Sequence, residues 1–144
     1  MNRREFISGV AAAGVVLATS NVSTAEDKTE PLRLKSEGNP TELEQKHVPL
    51  IVAPEKAKAG QWIDVNVKVG FMKEHPSTPE HWITYIKLLA DDKEIAKAEY
   101  PTGGIAAGSA SFKIKLDKPV KLEAVEHCNL HGTWISTPVK IDVS

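Results

Sequence analysis

The chain has 144 residues, 41% apolar and 26% charged, with a formal net charge of -1. That is room for one ordinary globular domain, too balanced in charge for a general nucleic-acid binder and too apolar for a disordered chain. A single cysteine, Cys128, excludes both an intrachain disulfide and a four-cysteine metal site, and five histidines accompany it.

Residues 1–25 read as an export address rather than as fold. Arg3-Arg4 precedes Phe6-Ile7, and the apolar run over 9–18 is too short to span a bilayer. Ser23-Thr24-Ala25 offers small residues for cleavage before Glu26. The paired arginines resemble a twin-arginine signal, with an ordinary secretory signal or a retained amphipathic helix as alternatives. The expectation is a periplasmic or otherwise exported protein with no stable membrane insertion after cleavage. The 119 residues that follow carry a formal net charge of -2, since the removed segment holds Arg3, Arg4 and Glu5. A lone thiol in an oxidising compartment needs a partner or protection.

Residues 26–44 are polar, with Pro31, Gly38 and Pro40, and read as an arm or linker. From residue 45 to 144 short alternating segments recur. Ile63, Val65, Val67, Val69 and Phe71 alternate with polar residues or glycine, the period of a half-buried strand. Phe112, Ile114 and Leu116 do the same, as do Val120, Leu122 and Ala124, and Val139, Ile141 and Val143. Stretches 50–52, 82–89 and 94–100 complete a set of about seven strands, with turn signals at 54–60, 76–79, 91–92, 101–104, 117–119 and 132. The pattern predicts an all-β, immunoglobulin-like seven-stranded sandwich, with no helical period after residue 25.

The chemistry-bearing residues fall at strand ends and in loops. His47 precedes Val48-Pro49; His75 and His81 bracket a proline-rich loop; Cys128 and His131 share Cys128-Asn129-Leu130-His131-Gly132. Two residues between Cys128 and His131 let one tight turn aim both side chains at one ion, and Gly132 supplies the backbone freedom to leave that turn. Pro76 and Pro79 reduce the entropy lost on ordering the loop between its histidines. Thiolate plus imidazole suits zinc, copper or iron rather than calcium or magnesium. His127 points away from Cys128 if the chain is extended there, and reads as a bystander.

These motifs resemble the superoxide reductase family, also called desulfoferrodoxin or neelaredoxin. That family shows Glu-Lys-His-Val-Pro, then His-Pro-x-x-x-Glu-His, then Cys-Asn-x-His-Gly. This chain reads Gln45-Lys46-His47-Val48-Pro49, His75-Pro76 through Glu80-His81, and Cys128-Asn129-Leu130-His131-Gly132. The resemblance implies a sandwich carrying one mononuclear iron, with His47, His75, His81 and His131 as equatorial ligands and Cys128 as axial thiolate. The position opposite the sulfur would stay open. Superoxide would take one electron there and leave as hydrogen peroxide. Lys46 matches the family lysine that attracts superoxide and helps position a proton-donating water. Larger relatives carry a further iron domain with four cysteine ligands, which the single cysteine of this chain cannot supply. The family glutamate before the lysine is Gln45 here, so the oxidised iron is expected to be open or water-bound, unless Glu44 substitutes by a register shift. The resemblance also implies an external electron donor, rubredoxin-like or cytochrome-like, and a homo-oligomer.

Two other readings fit parts of the pattern. A blue-copper carrier is also a small β-sandwich with one cysteine, but its axial methionine usually follows the Cys/His loop, and no methionine follows His131. A non-catalytic zinc-stabilised module, or a partner subunit of a redox system, would leave more ligands than the four that structural zinc takes.

Overall fold

The computed structural model describes residues 30–144, and the expected export signal at 1–25 lies outside the described residues. The folded unit runs from Pro31 to Ser144. Among the described residues one short helix, α1 (Glu42–His47), precedes nine strands: β1 (Pro49–Val52), β2 (Lys56–Ala57), β3 (Trp62–Val69), β4 (Ile83–Ala90), β5 (Lys93–Glu99), β6 (Ser109–Lys115), β7 (Val120–Cys128), β8 (Gly132–Ile135) and β9 (Val139–Val143).

The strands form two sheets. One has the order β1-β3-β6; the other has the order β2-β9-β7-β4-β5, with β8 also pairing β7. Every pairing is antiparallel except that of β2 with β9. Along β3 burial alternates strictly, so Ile63, Val65, Val67 and Val69 point inward. They share one core with Ile86, Leu88, Leu122, Ala124 and Ile141 of the facing sheet. Burying each such side chain stabilises by about 1.5–3 kcal/mol. The expected continuation of β3 to Phe71 stops at Val69, because Gly70 takes a left-handed φ of 79° and turns the chain away.

Strand β7 is the keel of the larger sheet. It is nine residues long and buried for most of its length on both faces. The sequence period suggested a strand only over 120–124, because Glu126 and His127 break the apolar alternation. In the fold Glu126 occupies an inward position between Ala124 and Cys128 and is fully buried. The strand therefore runs on and delivers Cys128 at its end. Strands β2 and β8 were also unanticipated: two residues are too few for a period, and Gly132-Thr133-Trp134-Ile135 does not alternate.

The stretch read as a polar arm is part of the fold from Pro31 onward. Leu32 makes a parallel bridge to Trp134, and Arg33 lies 3.4 Å from the buried Glu123 on β7. Helix α1 was not anticipated either, although Thr41-Glu42-Leu43-Glu44 has the spacing of a capping box. The Thr41 hydroxyl accepts the Glu44 N–H at 3.2 Å, and the Glu44 carboxylate accepts the Thr41 N–H at 2.9 Å. A six-residue helix has little else to start it, and its last residue is His47.

Thr41→Ala removes half of that box and is expected to lower unfolding stability by about 1 kcal/mol, read by urea denaturation. Retention of wild-type stability would show that the helix is held by packing alone.

Candidate metal centre

Two histidines of the motifs, His47 and His75, are oriented from behind. His47 is fully buried at the end of α1, and its Nδ1–H donates to the Leu43 carbonyl one turn earlier at 2.7 Å. The Nδ1–H of His75 donates to the Pro76 carbonyl at 2.7 Å. Both bonds fix the tautomer that leaves a lone pair on Nε2. In both residues that Nε2 is buried and has no hydrogen-bond partner. A buried nitrogen lone pair without a donor is costly unless something else takes it up. The backbone of His75 also comes close under Gly70, where a Cβ would stand 2.6 Å from the His75 nitrogen.

His81 is placed by a closed turn. The Thr78 and His81 backbones exchange N–H···O bonds of 2.9 and 3.2 Å, and the His81 N–H also reaches the Thr78 hydroxyl at 3.0 Å. Asn129 then ties this loop to the cysteine loop. Its side-chain oxygen accepts the Trp82 N–H at 2.9 Å, and its amide donates to the Glu80 carbonyl at 2.8 Å. The two bonds grip the residues on either side of His81. Asn129 sits within the Cys128–Gly132 motif, yet only the fold reveals what it binds. A register shift in β4 between Ile83 and Tyr85, opposite the end of β7, falls beside the same loop.

Cys128 and His131 close the β7–β8 hairpin, in which Cys128 pairs with Gly132. Gly132 has φ 85°, the freedom expected of it. The cysteine is fully buried, whereas His131 is exposed. His81 Nε2 lies 3.2 Å from Cys128 Sγ, and His131 Nδ1 lies 3.7 Å from it.

The four imidazoles form a closed ring of neighbours. Centroids are 4.8 Å apart for His47–His75, 4.7 Å for His75–His81, 5.0 Å for His81–His131 and 4.9 Å for His131–His47, each pair edge to face. Donor atoms of His47, His75, His81 and Cys128 all lie within 4.8 Å of one another. That span suits a single ion bound at about 2.0–2.3 Å from each donor. His131 is not among these four donors; the orphaned Nε2 atoms and the soft sulfur fit iron coordinated by imidazole and thiolate.

Burial sets the charges of the metal-free site. It pushes His75 down to about 4 and also lowers His47 and His81, so these rings are neutral and ready to donate. It raises the Cys128 thiol, so a metal must displace a proton to bind sulfur. It pushes Glu126 up to about 9.

Lys46 follows the site from α1. Its ammonium opposes protonation of His47 and His81 and lies 3.8 Å from Glu42, whose carboxylate also takes Lys73 at 2.7 Å. Lys46 and His75 line an open groove of about 880 Å³ together with Lys68, Glu74, Ser77 and Ser109. The Gln45 amide donates to the Pro40 carbonyl at 3.1 Å. Glu44 cannot serve in its place by a register shift: its carboxylate accepts the Thr41 N–H and the Lys35 N–H and is spent on the helix cap. His127 lies off the ring, with Nδ1 2.8 Å from the Thr133 hydroxyl and its imidazole stacked on Tyr85 at 5.5 Å.

The sequence matches the desulfoferrodoxin family over residues 39–137. It is 41% identical over 105 residues to a desulfoferrodoxin of Nitratidesulfovibrio vulgaris, covering 73% of this chain and 72% of that one. It is 36% identical over 98 residues to a superoxide reductase of Thermococcus kodakarensis, covering 62% and 83%. Among solved structures, the superoxide reductase (neelaredoxin) of Ignicoccus hospitalis superposes with a TM-score of 0.61 at 34% identity, covering 68% and 81%. The superoxide reductase of Nanoarchaeum equitans gives 0.59 at 28% identity, covering 75% and 99%.

In the metal-free protein Glu126 holds its proton when folded, up to about pH 9, and loses it when unfolded above the ordinary 4.5. The folded state binds more protons across that window, so wild-type stability falls as pH rises through it. Glu126→Gln has no such slope. Its stability relative to wild type is expected to grow with pH by up to about 1.4 kcal/mol per pH unit, read by denaturation of the metal-free proteins at about pH 5 and about pH 8. A difference that does not change with pH would mean that Glu126 is already ionised.

Proposed function

The chain belongs to the desulfoferrodoxin family, and we propose that it reduces superoxide to hydrogen peroxide at a mononuclear iron held by His47, His75, His81, His131 and Cys128. The observation that carries this reading is the closed ring of four imidazoles around one buried sulfur, with two Nε2 lone pairs left without a partner. Iron bound there supplies the single electron that superoxide takes up; two protons complete hydrogen peroxide, and an external one-electron donor, rubredoxin-like or cytochrome-like, restores the ferrous state.

The protein's own residues supply binding and charge. Four neutral imidazoles and one thiolate would leave a bound iron net positive and so attractive to an anion. Lys46 adds a cation at that approach and orients a water that donates protons. The adjoining groove is far larger than a diatomic anion requires, so selection rests on charge rather than on shape. The thiolate of Cys128 would donate electron density to an iron held there. Gln45 is bonded to Pro40 and the Glu44 carboxylate to the helix cap, so neither is offered to a bound metal, and the oxidised site would be open or water-bound. The paired arginines at the amino terminus support action outside the cytoplasm.

Iron-loaded protein with a supplied reductant is expected to yield one hydrogen peroxide per superoxide consumed. A dismutase would yield one per two, with dioxygen. No consumption by the fully loaded protein would leave only a binding role. Cys128→Ser is expected to lose the thiolate-to-iron absorption, and an unchanged spectrum would refute the axial assignment. Azide is expected to bind the oxidised wild type severalfold more tightly than it binds Gln45→Glu; equal binding would show that residue 45 does not face the open position.

A further inference from the structure

Trp134 touches two of the four histidines in different ways, one by its ring and one by its backbone. Its indole stacks on His47 with ring centroids 5.2 Å apart and planes 18° from parallel. The same imidazole is met edge-on by His75 and His131, at 79° and 68°. The indole N–H donates to the His131 carbonyl at 3.1 Å. Trp134 is 5% exposed, so neither contact is shared with solvent to any extent.

Its backbone is held on both sides. Trp134 pairs with Glu126 of β7 on one edge. On the other edge Leu32 brackets it: the Leu32 N–H donates to the Thr133 carbonyl at 2.8 Å, and the Ile135 N–H donates to the Leu32 carbonyl at 2.9 Å. The indole cannot turn off His47 without breaking its bond to His131.

We propose that Trp134 is a positioning residue of the metal centre, fixing the ring plane of His47 and the backbone of His131 and enriching electron density at the His47 donor. The inference rests on the reading of the ring as an iron site. An indole face carries negative quadrupole density. Stacked on an imidazole that shares its lone pair with a cation, it favours the more positive oxidised state over the reduced one. Removing the face therefore raises the midpoint potential. Removing the N–H frees the hairpin that carries His131 and hastens loss of the metal. A side chain that only filled space would change stability and leave both properties alone.

The test uses the full iron-loaded chain as wild type, Trp134→Phe and Trp134→Leu. Phenylalanine keeps a smaller aromatic face without the N–H; leucine keeps apolar bulk with neither. The readouts are midpoint potential, energy of the thiolate-to-iron absorption, and rate of iron release to a chelator. Both variants are expected to release iron severalfold faster. The potential should rise slightly in the phenylalanine variant and further in the leucine variant, with a shift in the absorption. Wild-type potential, absorption and release in a folded variant, whatever its thermal stability, overturn the proposal; should leucine prevent folding, the phenylalanine variant decides alone. Superoxide consumption by wild type is measured apart. Its absence, with the shifts still seen, removes the catalytic reading and leaves the role of Trp134; consumption with unmoved potentials removes Trp134 alone.

Discussion

Everything near the site answers to one constraint: two imidazole lone pairs are buried together with no donor from the protein to meet them. Cys128 is fully buried, and the Nε2 atoms of His47 and His75 are sealed from water without partners. Such groups normally find hydrogen bonds, and each that does not is destabilising by about 1–3 kcal/mol. The fold spends its own hydrogen bonds on the opposite nitrogens instead, binding Nδ1 of each ring to a backbone carbonyl. That arrangement gives no benefit until a cation arrives. An ion that binds the folded ring and not the unfolded chain then stabilises the fold by mass action.

The scaffold meets this constraint by bringing parts far apart in sequence to one end of the sheets. The longest strand, β7, carries the sulfur from within the core. The turn at 75–81 carries two imidazoles, and Asn129 locks it to the cysteine hairpin. The short helix contributes His47 and depends for its start on the Thr41–Glu44 box. Glu44 and Gln45 thus have separate partners. Glu44 is consumed in making the helix, and Gln45 is turned back to Pro40. Neither side chain is left free to turn toward the ring of histidines.

How much of this was legible depended on whether a residue's task matched its local pattern. The ligand motifs stood out because cysteine and histidine at strand ends have few structural uses. Strands β3, β6 and β9 stood out because one face of each meets the core. Strand β7 was read as four residues short because a glutamate occupied an inward position, and an apolar period cannot register a buried acid. The segment before residue 45 looked like linker because its main bonds are made by backbone to Trp134, through Leu32, which no side-chain pattern records. The helix escaped notice because six residues are too few for a period, although its cap was written in Thr41 and Glu44. Asn129 and Trp134 were visible as letters but not as partners, since their bonds reach Glu80, Trp82 and His131 through the fold.

Charge closes the account of the site. The chain as a whole is slightly negative, which would repel an anion at long range. Attraction must therefore be local. Glu126 lies beneath the sulfur, and its burial keeps it protonated in the metal-free protein. Its neutrality matters, because an ionised carboxylate there would offset one positive charge of the ion above it. A bound cation pulls that proton the other way, as it does the proton on Cys128. Loading the site and emptying it of protons are thus one linked equilibrium. The placement of that glutamate two residues before the cysteine, on the same face of β7, makes the strand both the support of the sulfur and a limit on the charge above it.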